Sequence, residues 1–377
     1  MVGKRYLNEL FYKNSAFLNR ANVDRPLIGI HIWDPQFRKL YKETNKTIAE
    51  KGEVKPEDIV TKNFLKDIDR IIAMHEEIGG DLLWPVCPYV YIPWMEAIIG
   101  CPIYSNETTF FAKAFINKWD DFYNKKVDIS KNNRWLSKLL EIQSALVEHL
   151  CANYPVSSSS HLRGPVDMMA AALGQTRMPL ELYDNPDKIK EMCSIYAEVF
   201  IGVAKMQNEI ASKSEFGGFT VNGYGIWTPY VCQYLQDDAM AFLSPRFYRE
   251  LIKEQHIKIV NSFDSVFYHL HPISLFIIDD LLKMKKVSVI EVNREPEAIG
   301  PSIKELLQIF RKIQNNGKSL LINFTQSAVS LDLFEKEVEI ICRELFYNGL
   351  CIYVMADNIE DALVKKKIIE GVLSKNG

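Results

Sequence analysis

Eight short runs of apolar and β-branched residues recur along the chain, and a helical pattern follows each run. Such alternation predicts strand–helix units that build a parallel sheet. Four of the runs are almost continuously apolar, as expected for strands covered on both faces. The predicted strands are Leu27–Trp33, Asp81–Val86, Pro155–Ser159, Phe219–Asn222, Ser265–Leu270, Val287–Val292, Ser319–Asn323 and Leu350–Met355.

Residues typical of helix ends separate these runs. Ser302 followed by Glu305 is a capping-box pattern, and Asn316-Gly317 predicts the end of the same helix. Asn185-Pro186 predicts the start of a long helix. Asn348-Gly349 predicts that the next helix ends as the first one does.

Eight strand–helix units in 377 residues predict an α/β fold of the (β/α)8 or TIM-barrel type, as one domain over residues 1–377. The residues before the first strand form an N-terminal extension, and the aromatic-rich stretch 88–135 is an insertion after the second strand. The alternative is a doubly wound open sheet, which carries a glycine-rich turn after its first strand. Residues 31–35 after the first run contain no glycine, which favours the barrel.

Charge and cysteine content exclude several classes of function. A net charge of −3 gives no broad attraction to nucleic acid or to an acidic membrane. No apolar run approaches the roughly 18 residues of a membrane span, and no signal-peptide pattern is recognised. Seven scattered cysteines without a Cys-x-x-Cys pair indicate reduced thiols, so we expect a cytoplasmic protein.

Polar and aromatic residues gather at the predicted carboxyl ends of the strands, where barrel enzymes carry their active sites. We expect these side chains to surround a site for a small-molecule substrate. The candidates are His31, Trp33, Cys87, His161, Arg163, Asn222, Trp227, His269, His271, Glu291, Arg294, Glu295 and Asp357.

The pair His269 and His271 is the sharpest local feature. Residues i and i+2 of a strand point to one side, so both imidazoles face the same interior and can share a metal or a substrate. A zinc site would need a third ligand and an open position. The other interpretation is that one histidine is hydrogen-bonded in the barrel mouth and the other lies in the loop before Pro272. The candidates for the third ligand are Glu291, Glu295, Cys87 and Asp357.

Two further clusters carry charge. Glu291, Arg294 and Glu295 lie at one strand end, where they are either acid–base carboxylates beside an anion-binding arginine or a structural ion pair. His161 and Arg163 precede a predicted helix start, where an anion would be stabilised. The alternative there is a surface arginine and a packed histidine.

Several segments resemble the uroporphyrinogen decarboxylase superfamily. They are Gly164–Met168, Leu182–Pro186, Leu243–Tyr248, Tyr268–His271 and Ile277–Leu281. The resemblance covers most of residues 22–373. It implies a (β/α)8 barrel, frequently a homodimer, that acts on a small molecule at the barrel mouth.

The sequence departs from true uroporphyrinogen decarboxylases at two places. Their arginine-rich segment after the first strand binds substrate carboxylates, whereas residues 33–40 here keep Arg38 as the single arginine. Their catalytic aspartate at the end of the second strand has no counterpart in residues 81–87. The resemblance therefore gives Arg38 as a substrate-binding candidate and favours a different substrate.

The cobalamin-linked methyltransferases of this superfamily bind zinc through a His-x-Cys pair and a later cysteine. Here the pair is His269 and His271, so the first ligand matches and a histidine replaces the cysteine. The chain looks closer to a third, poorly defined decarboxylase-like branch of the superfamily. We expect a methyltransferase-type enzyme, for which the resemblance implies zinc and a corrinoid protein as partner. In that case Glu291 or Glu295 would be the acid–base group. Two alternatives stay open: a cofactor-free carboxy-lyase acting on a tetrapyrrole in porphyrin metabolism, and a non-catalytic ligand-binding barrel.

Overall fold

A computed structural model describes residues 4–22, 24–33, 39–48, 52–296, 300–325 and 330–376. Its strands fall into one large parallel sheet and two small antiparallel sheets. In chain order the strands are β1 (Leu27–Ile32), β2 (Gly52–Val54), β3 (Ile103–Ser105), β4 (Phe110–Ala112), β5 (Phe219–Thr220), β6 (Trp227–Thr228), β7 (Cys232–Leu235), β8 (Ser265–Leu270), β9 (Val287–Arg294), β10 (Ser319–Phe324) and β11 (Leu350–Ala356).

The large sheet has six parallel strands in the order β1-β11-β10-β9-β8-β7. Every residue of β1, β8 and β10 is buried, because helices cover the outer face and side chains fill the inner face. The predicted parallel α/β fold is confirmed at this level. The first and the last four predicted strands all belong to the sheet.

The three predicted strands in between are not strands of this sheet. Residues 81–86 form no strand, and residues 155–159 make a single parallel bridge, between Ser157 and Thr220. Phe219–Asn222 is reduced to β5, which pairs with β6 in a separate antiparallel sheet. The sheet instead uses β7, which the sequence pattern missed. Gln233 makes β7 look too polar for a buried strand, yet its amide is buried and donates to Ser159 Oγ at 3.0 Å.

Residues 81–86 and 155–164 nevertheless follow the two outer strands of the sheet. Backbone hydrogen bonds connect β1 to residues 81–86, these to residues 155–159, and residue 164 to the end of β7. The bonds are Asp81 N to Ile28 O at 2.8 Å, Ser157 N to Val86 O at 2.7 Å and Gly164 N to Gln236 O at 2.7 Å. Residues 81–86 and 155–164 thus cover the two edges of the sheet, although they make few of the backbone hydrogen bonds of a regular β-sheet.

The four serines Ser157–Ser160 are buried, as the sequence predicted, although they are polar. Their hydroxyls stay inside because they have partners, which removes the cost of burying a polar group. Ser157 Oγ lies 2.9 Å from Thr220 Oγ1, and Ser160 Oγ donates to Gln207 Oε1 at 3.1 Å. The run is a polar part of the core.

Helices surround the sheet. The capping box of Ser302 and Glu305 is present, and Gly317 has the positive φ of 74° that ends that helix. The next helix ends at Glu344, before the predicted Asn348-Gly349, because Leu345 is already extended. The helices are Lys4–Leu18, Thr61–Ile78, Trp94–Ile99, Trp119–Asn124, Arg134–Leu150, Pro165–Leu173, Arg177–Asp184, Pro186–Ala211, Pro245–Phe247, Lys253–Asn261, Ile278–Lys283, Ile303–Asn315, Leu331–Glu344 and Ile359–Asn376. No helix in the described ranges is both long and apolar enough to cross a membrane.

The N-terminal helix and the 88–135 stretch lie at the periphery of the parallel sheet. Helix Lys4–Leu18 contacts the starts of the strands, where Ser319 Oγ donates to the carbonyl of Phe17 at 2.9 Å. In the 88–135 stretch, β3 and β4 form a hairpin that pairs with β2. The carboxyl ends of the parallel strands are left for the candidate site.

Candidate functional site

A cavity of about 260 Å³ lies at the carboxyl ends of the six parallel strands. The sheet curls, so that every one of its strands contributes to the lining. In strand order the side chains are His31, Tyr353, Asn323, Asn293, His269 and Tyr234. Residues far apart in sequence therefore meet around one opening.

The walls of this cavity are mostly aromatic. Arg163 is the only lysine or arginine among the described residues that line it. Its Nη1 atom lies 3.2 Å from Glu96 Oε1, so even this charge has a partner. The pocket suits a small ligand with apolar or flat parts and few negative charges. The aromatic residues include Trp33, Tyr41, Trp84, Tyr91 and Tyr224.

His269 faces the cavity from the end of β8. The register of β8 and β9 places it opposite Glu291, which is fully buried. The Nδ1 atom of His269 donates a hydrogen bond to Glu291 Oε2, because a carboxylate can only accept. Nε2 of His269 is then the ring nitrogen left for another partner, and it lies 3.7 Å from Asp238 Oδ1.

His271, two residues after His269, also lies between a glutamate and Asp238. Its Nδ1 atom lies 2.5 Å from Glu295 Oε1, and its Nε2 atom lies 3.3 Å from Asp238 Oδ1. Burial opposes the charged form of His271, but the contacts with Asp238 and Glu295 outweigh it and raise the pKa to about 9. The two imidazole centroids are 4.8 Å apart, as the i, i+2 argument predicted.

Asp238 completes a cluster that can hold a metal ion. One ligand atom from each of Asp238, His269 and His271 lies within 4.8 Å of the others. Tetrahedral ligands at zinc distances are roughly 3.3 to 3.6 Å apart, close to the separations from Asp238. Asp238 Oδ1 lies 3.7 Å from Nε2 of His269 and 3.3 Å from Nε2 of His271, so a metal ion would take the place of the protons that these nitrogens otherwise direct at the carboxylate.

The carboxylates behind the histidines strengthen this interpretation. Metal-ligating histidines usually donate their second ring N–H to a carboxylate, which fixes the tautomer and makes the ligand nitrogen more basic. Glu291 stands in this relation to His269, and Glu295 to His271. The donor set of two imidazoles and a carboxylate therefore fits a divalent transition metal such as zinc.

His31 and His161 lie in the wall as neutral rings. His31 Nε2 is 3.0 Å from the Leu83 carbonyl, so it carries the proton, and Nδ1 accepts from Tyr353 at 2.8 Å. Burial lowers the pKa of His31 well below its usual value. Burial, with the nearby charge of Arg163, lowers the pKa of His161 to about 4.

Asn222 holds His161 in place. The amide oxygen of Asn222 lies 3.1 Å from His161 Nδ1, and its nitrogen donates to the Ser159 carbonyl at 3.2 Å. His161 Nδ1 is therefore the protonated nitrogen, and Nε2 is left as an acceptor for a ligand. Asn222 thus lies behind the wall of the cavity, whereas the sequence analysis predicted that it contacts the substrate.

Arg294 does not reach the cavity, in contrast to the anion-binding role expected from the sequence. It is fully buried, and its guanidinium donates to both carboxylate oxygens of Glu337, with Nη2 to Oε1 at 2.8 Å. The reason is the alternation of β9, in which Asn293 and Glu291 face the inner side. Arg294 must then face the helix Leu331–Glu344 outside the sheet.

Three further candidates lie away from the lining. Burial raises the pKa of the Cys87 thiol to about 12, which does not favour a thiolate ligand. Trp227 stacks on Phe11 of the N-terminal helix at 4.4 Å, because its segment is not a strand of the parallel sheet. Asp357 is exposed, and its backbone N–H donates to Asp361 Oδ2 at the start of the last helix. Arg38 lies outside the described residues.

Sequence reasoning missed Asp238 together with Tyr234 and Gln236, which also line the cavity or its edge. Tyr234 lies in β7, the strand that was not predicted, and Gln236 and Asp238 lie in the turn that follows it. The available signal was the acidic pair Asp237-Asp238, which begins two residues after the strand Cys232–Leu235. Neither protein-family models nor curated proteins match this sequence, so the assignment depends on the geometry of the site.

Proposed function

We propose that this protein is a metal-dependent enzyme of the methyltransferase type within the uroporphyrinogen decarboxylase superfamily. The observation that carries the proposal is the cluster of His269, His271 and Asp238, with a carboxylate behind each imidazole. Zinc is the metal that this donor set and the family resemblance both favour. The substrate is a small metabolite bound at the mouth, and the partner is a corrinoid protein.

We also propose that the fold is a complete (β/α)8 barrel. The six parallel strands supply six of the eight strand positions of the barrel, and residues 81–86 and 155–163 supply the other two. The backbone bonds of Asp81 to Ile28 and of Gly164 to Gln236 support this arrangement, because they join these residues to β1 and to the end of β7. The site then lies where barrel enzymes carry theirs.

The chemistry divides between a metal and the residues around it. Zinc held by three protein ligands keeps an open position, at which it lowers the pKa of a thiol or water. Glu291 and Glu295 would hold the Nδ1 protons on the two histidines, so that both Nε2 atoms, which face Asp238, could bind the metal after they lose their protons. His161 Nε2 can accept a hydrogen bond from the substrate, and the aromatic wall excludes water.

The charge of the pocket argues against the carboxy-lyase alternative. A tetrapyrrole with eight carboxylates needs several cationic partners. Arg163 is the one such group among the described lining residues, and Glu96 already contacts it. A volume of about 260 Å³ also suits a ligand much smaller than a tetrapyrrole.

The candidate metal cluster borders two cavities, which supports the transfer of a group between two substrates. His269 lines the first cavity, whereas Asp238 lines a second cavity of about 390 Å³ next to it. Arg163 belongs to both linings. A group-transfer enzyme has to bring two substrates to one centre, and two adjoining cavities provide for this.

The test is elemental analysis of the purified protein combined with a transfer assay. We expect about one zinc per chain, and loss of that zinc in Asp238→Asn and His271→Ala. Asp357→Asn, which changes an exposed aspartate at the end of the more distant strand β11, is the matched control and should keep its zinc. Methylcobalamin with a thiol acceptor should yield the absorbance of demethylated cobalamin in the zinc-loaded wild type alone.

Two results would overturn the proposal. One is a protein that binds no zinc or other transition metal after loading. The other is coproporphyrinogen formation from uroporphyrinogen, which would support the carboxy-lyase instead. Tight retention of a small ligand with no turnover would favour the non-catalytic barrel.

A further inference from the structure

The second cavity has a lining that differs from that of the first. It is formed by the hairpin of β3 and β4, the helix Pro165–Leu173 and the turn after β7. Three carboxylates line it, from Glu96, Asp167 and Asp238, and Arg163 is the only cationic side chain among its described lining residues. Glu96 contacts Arg163 and Asp238 contacts His271, so Asp167 is the one carboxylate of this lining that makes no ion pair with a described residue.

Two carboxylate oxygens in this lining lack donors. Glu96 Oε2 and Asp167 Oδ2 are buried and accept no hydrogen bond from any described residue. Their residues are only 1% and 7% exposed, so bulk water does not replace the missing donor. A buried carboxylate oxygen without a partner costs free energy, and a positively charged ligand would remove that cost.

Aromatic rings line the same space. Phe110 and Phe111 come from β4, and Phe242 ends the turn that begins at Asp238. Phe111 is 37% and Phe242 is 39% exposed, so both rings are accessible to a ligand in this cavity. Carboxylates combined with aromatic faces are the environment that binds alkylated ammonium groups, through charge pairing and cation–π contact.

The size of the cavity separates an organic cation from a second metal ion. About 390 Å³ is far more than one ion needs. Small side chains on the helix, Ala170 and Ala171, and Gly174 just after it keep this space open.

We propose that the second cavity binds the alkylammonium group of a substrate, such as a methylated amine or a quaternary ammonium compound. This inference rests on the proposed function where it makes that ligand one of the two substrates of the transfer reaction. The binding itself needs only the second cavity. The two claims can therefore fail separately.

The test uses choline as the probe and 3,3-dimethylbutan-1-ol as its neutral isostere. Calorimetric titration is done on protein treated with a chelator and again on zinc-loaded protein. We expect choline to bind about tenfold more tightly than the alcohol, since cation–π contacts contribute about 1 to 2 kcal/mol. Equal affinity for both probes, or no binding of choline, would overturn the inference.

Two variants locate the binding. Ala171→Leu fills the cavity and should abolish choline binding, whereas Ala145→Leu, on the partly buried face of another helix, should not change it. Phe111→Leu should weaken choline but not the alcohol, and it keeps the test valid if the first variant folds poorly. Choline binding that survives both changes would place the site elsewhere and refute the proposal. Choline binding to a protein that takes up no zinc would support this inference while contradicting the proposed function.

Discussion

His269 and Glu291 lie directly opposite each other on β8 and β9, and the Nδ1 proton of the histidine is bound by the buried carboxylate. Strand register sets this pairing, so the tautomer of His269 follows from the fold rather than from a bound ligand. The nitrogen that faces Asp238 is therefore Nε2, the one that remains available to a metal ion.

Glu291→Gln should weaken zinc binding by about 10- to 100-fold, because a neutral amide makes the histidine a poorer ligand. Competition with a chromophoric chelator measures the affinity. Glu181→Gln, which changes a buried carboxylate bonded to Arg177 and Trp119 away from the site, should leave zinc affinity unchanged. Equal affinities in the Glu291 variant and wild type would contradict a ligand role for His269.

Glu337→Leu should cost about 3 to 5 kcal/mol in the free energy of unfolding, because Arg294 would remain charged in a fully buried place. The double variant Arg294→Met with Glu337→Leu should recover most of that loss, since neither charge is then left unpaired. Urea unfolding measures the free energy of unfolding of both variants. If Glu337→Leu alone were as stable as wild type, Arg294 would not depend on this pair.

Stability should fall as the pH drops from about 6.5 to about 4, in part because of His75. Burial lowers the pKa of His75 to about 4 in the folded protein, whereas the unfolded chain keeps a value near 6.5. Between these values the unfolded state binds the proton, so the stabilisation is present above pH 6.5 and lost below it. At about 1.4 kcal/mol per pKa unit, the loss approaches about 3 kcal/mol.

The variant His75→Gln isolates this contribution. Its disadvantage relative to wild type should narrow as the solution is acidified, because the variant has no proton to take up at this position. Asn117→Gln, which changes an exposed side chain that does not titrate, should show a constant difference from wild type over the same range. Denaturation curves at several pH values measure both differences, and parallel curves for His75→Gln would refute the prediction.

Gly164→Ala should lower zinc affinity without touching a ligand. A Cβ atom at Gly164 would lie 2.3 Å from Asp237 Oδ2, so Asp237 must move, and Asp238 is the next residue. Gly371→Ala is the control, because nothing lies within 4 Å of its added methyl group and helix stability should rise slightly. Zinc titration and thermal unfolding of both variants check this, and unchanged zinc affinity in Gly164→Ala would show that the turn adapts.

The sequence predicted those parts of the fold in which local pattern and burial agree. Strands β8 to β11 are apolar runs buried on both faces, and the helix after Ser302 has its cap in the sequence. β7 was missed because it is four residues long and contains a buried glutamine, whose partner Ser159 is distant in the chain. Residues 81–86 look like a strand but make few ladder bonds, which no local pattern reveals.

Some residues of the candidate site also follow from local sequence pattern, and others do not. His269 and His271 were placed on one side by the period of a strand, and the structure places their rings together. The same period shows that Asn293 and Arg294 cannot both face the cavity, a constraint that the sequence interpretation of Arg294 did not apply. Glu96 and Asp167 lie on helices far apart in the chain, and only the fold brings them to one cavity.

Asp237 and Asp238 are neighbours with opposite orientations. Asp237 Oδ1 accepts from the first N–H groups of helix Pro165–Leu173, at 2.8 and 2.9 Å, and its Oδ2 lies 2.8 Å from buried His256. Asp238 therefore projects from a turn that is anchored on its other side to a helix and to the core. Such a turn is preorganised, and an arriving ion should find its carboxylate ligand already in position and spend little binding energy on rearranging the chain.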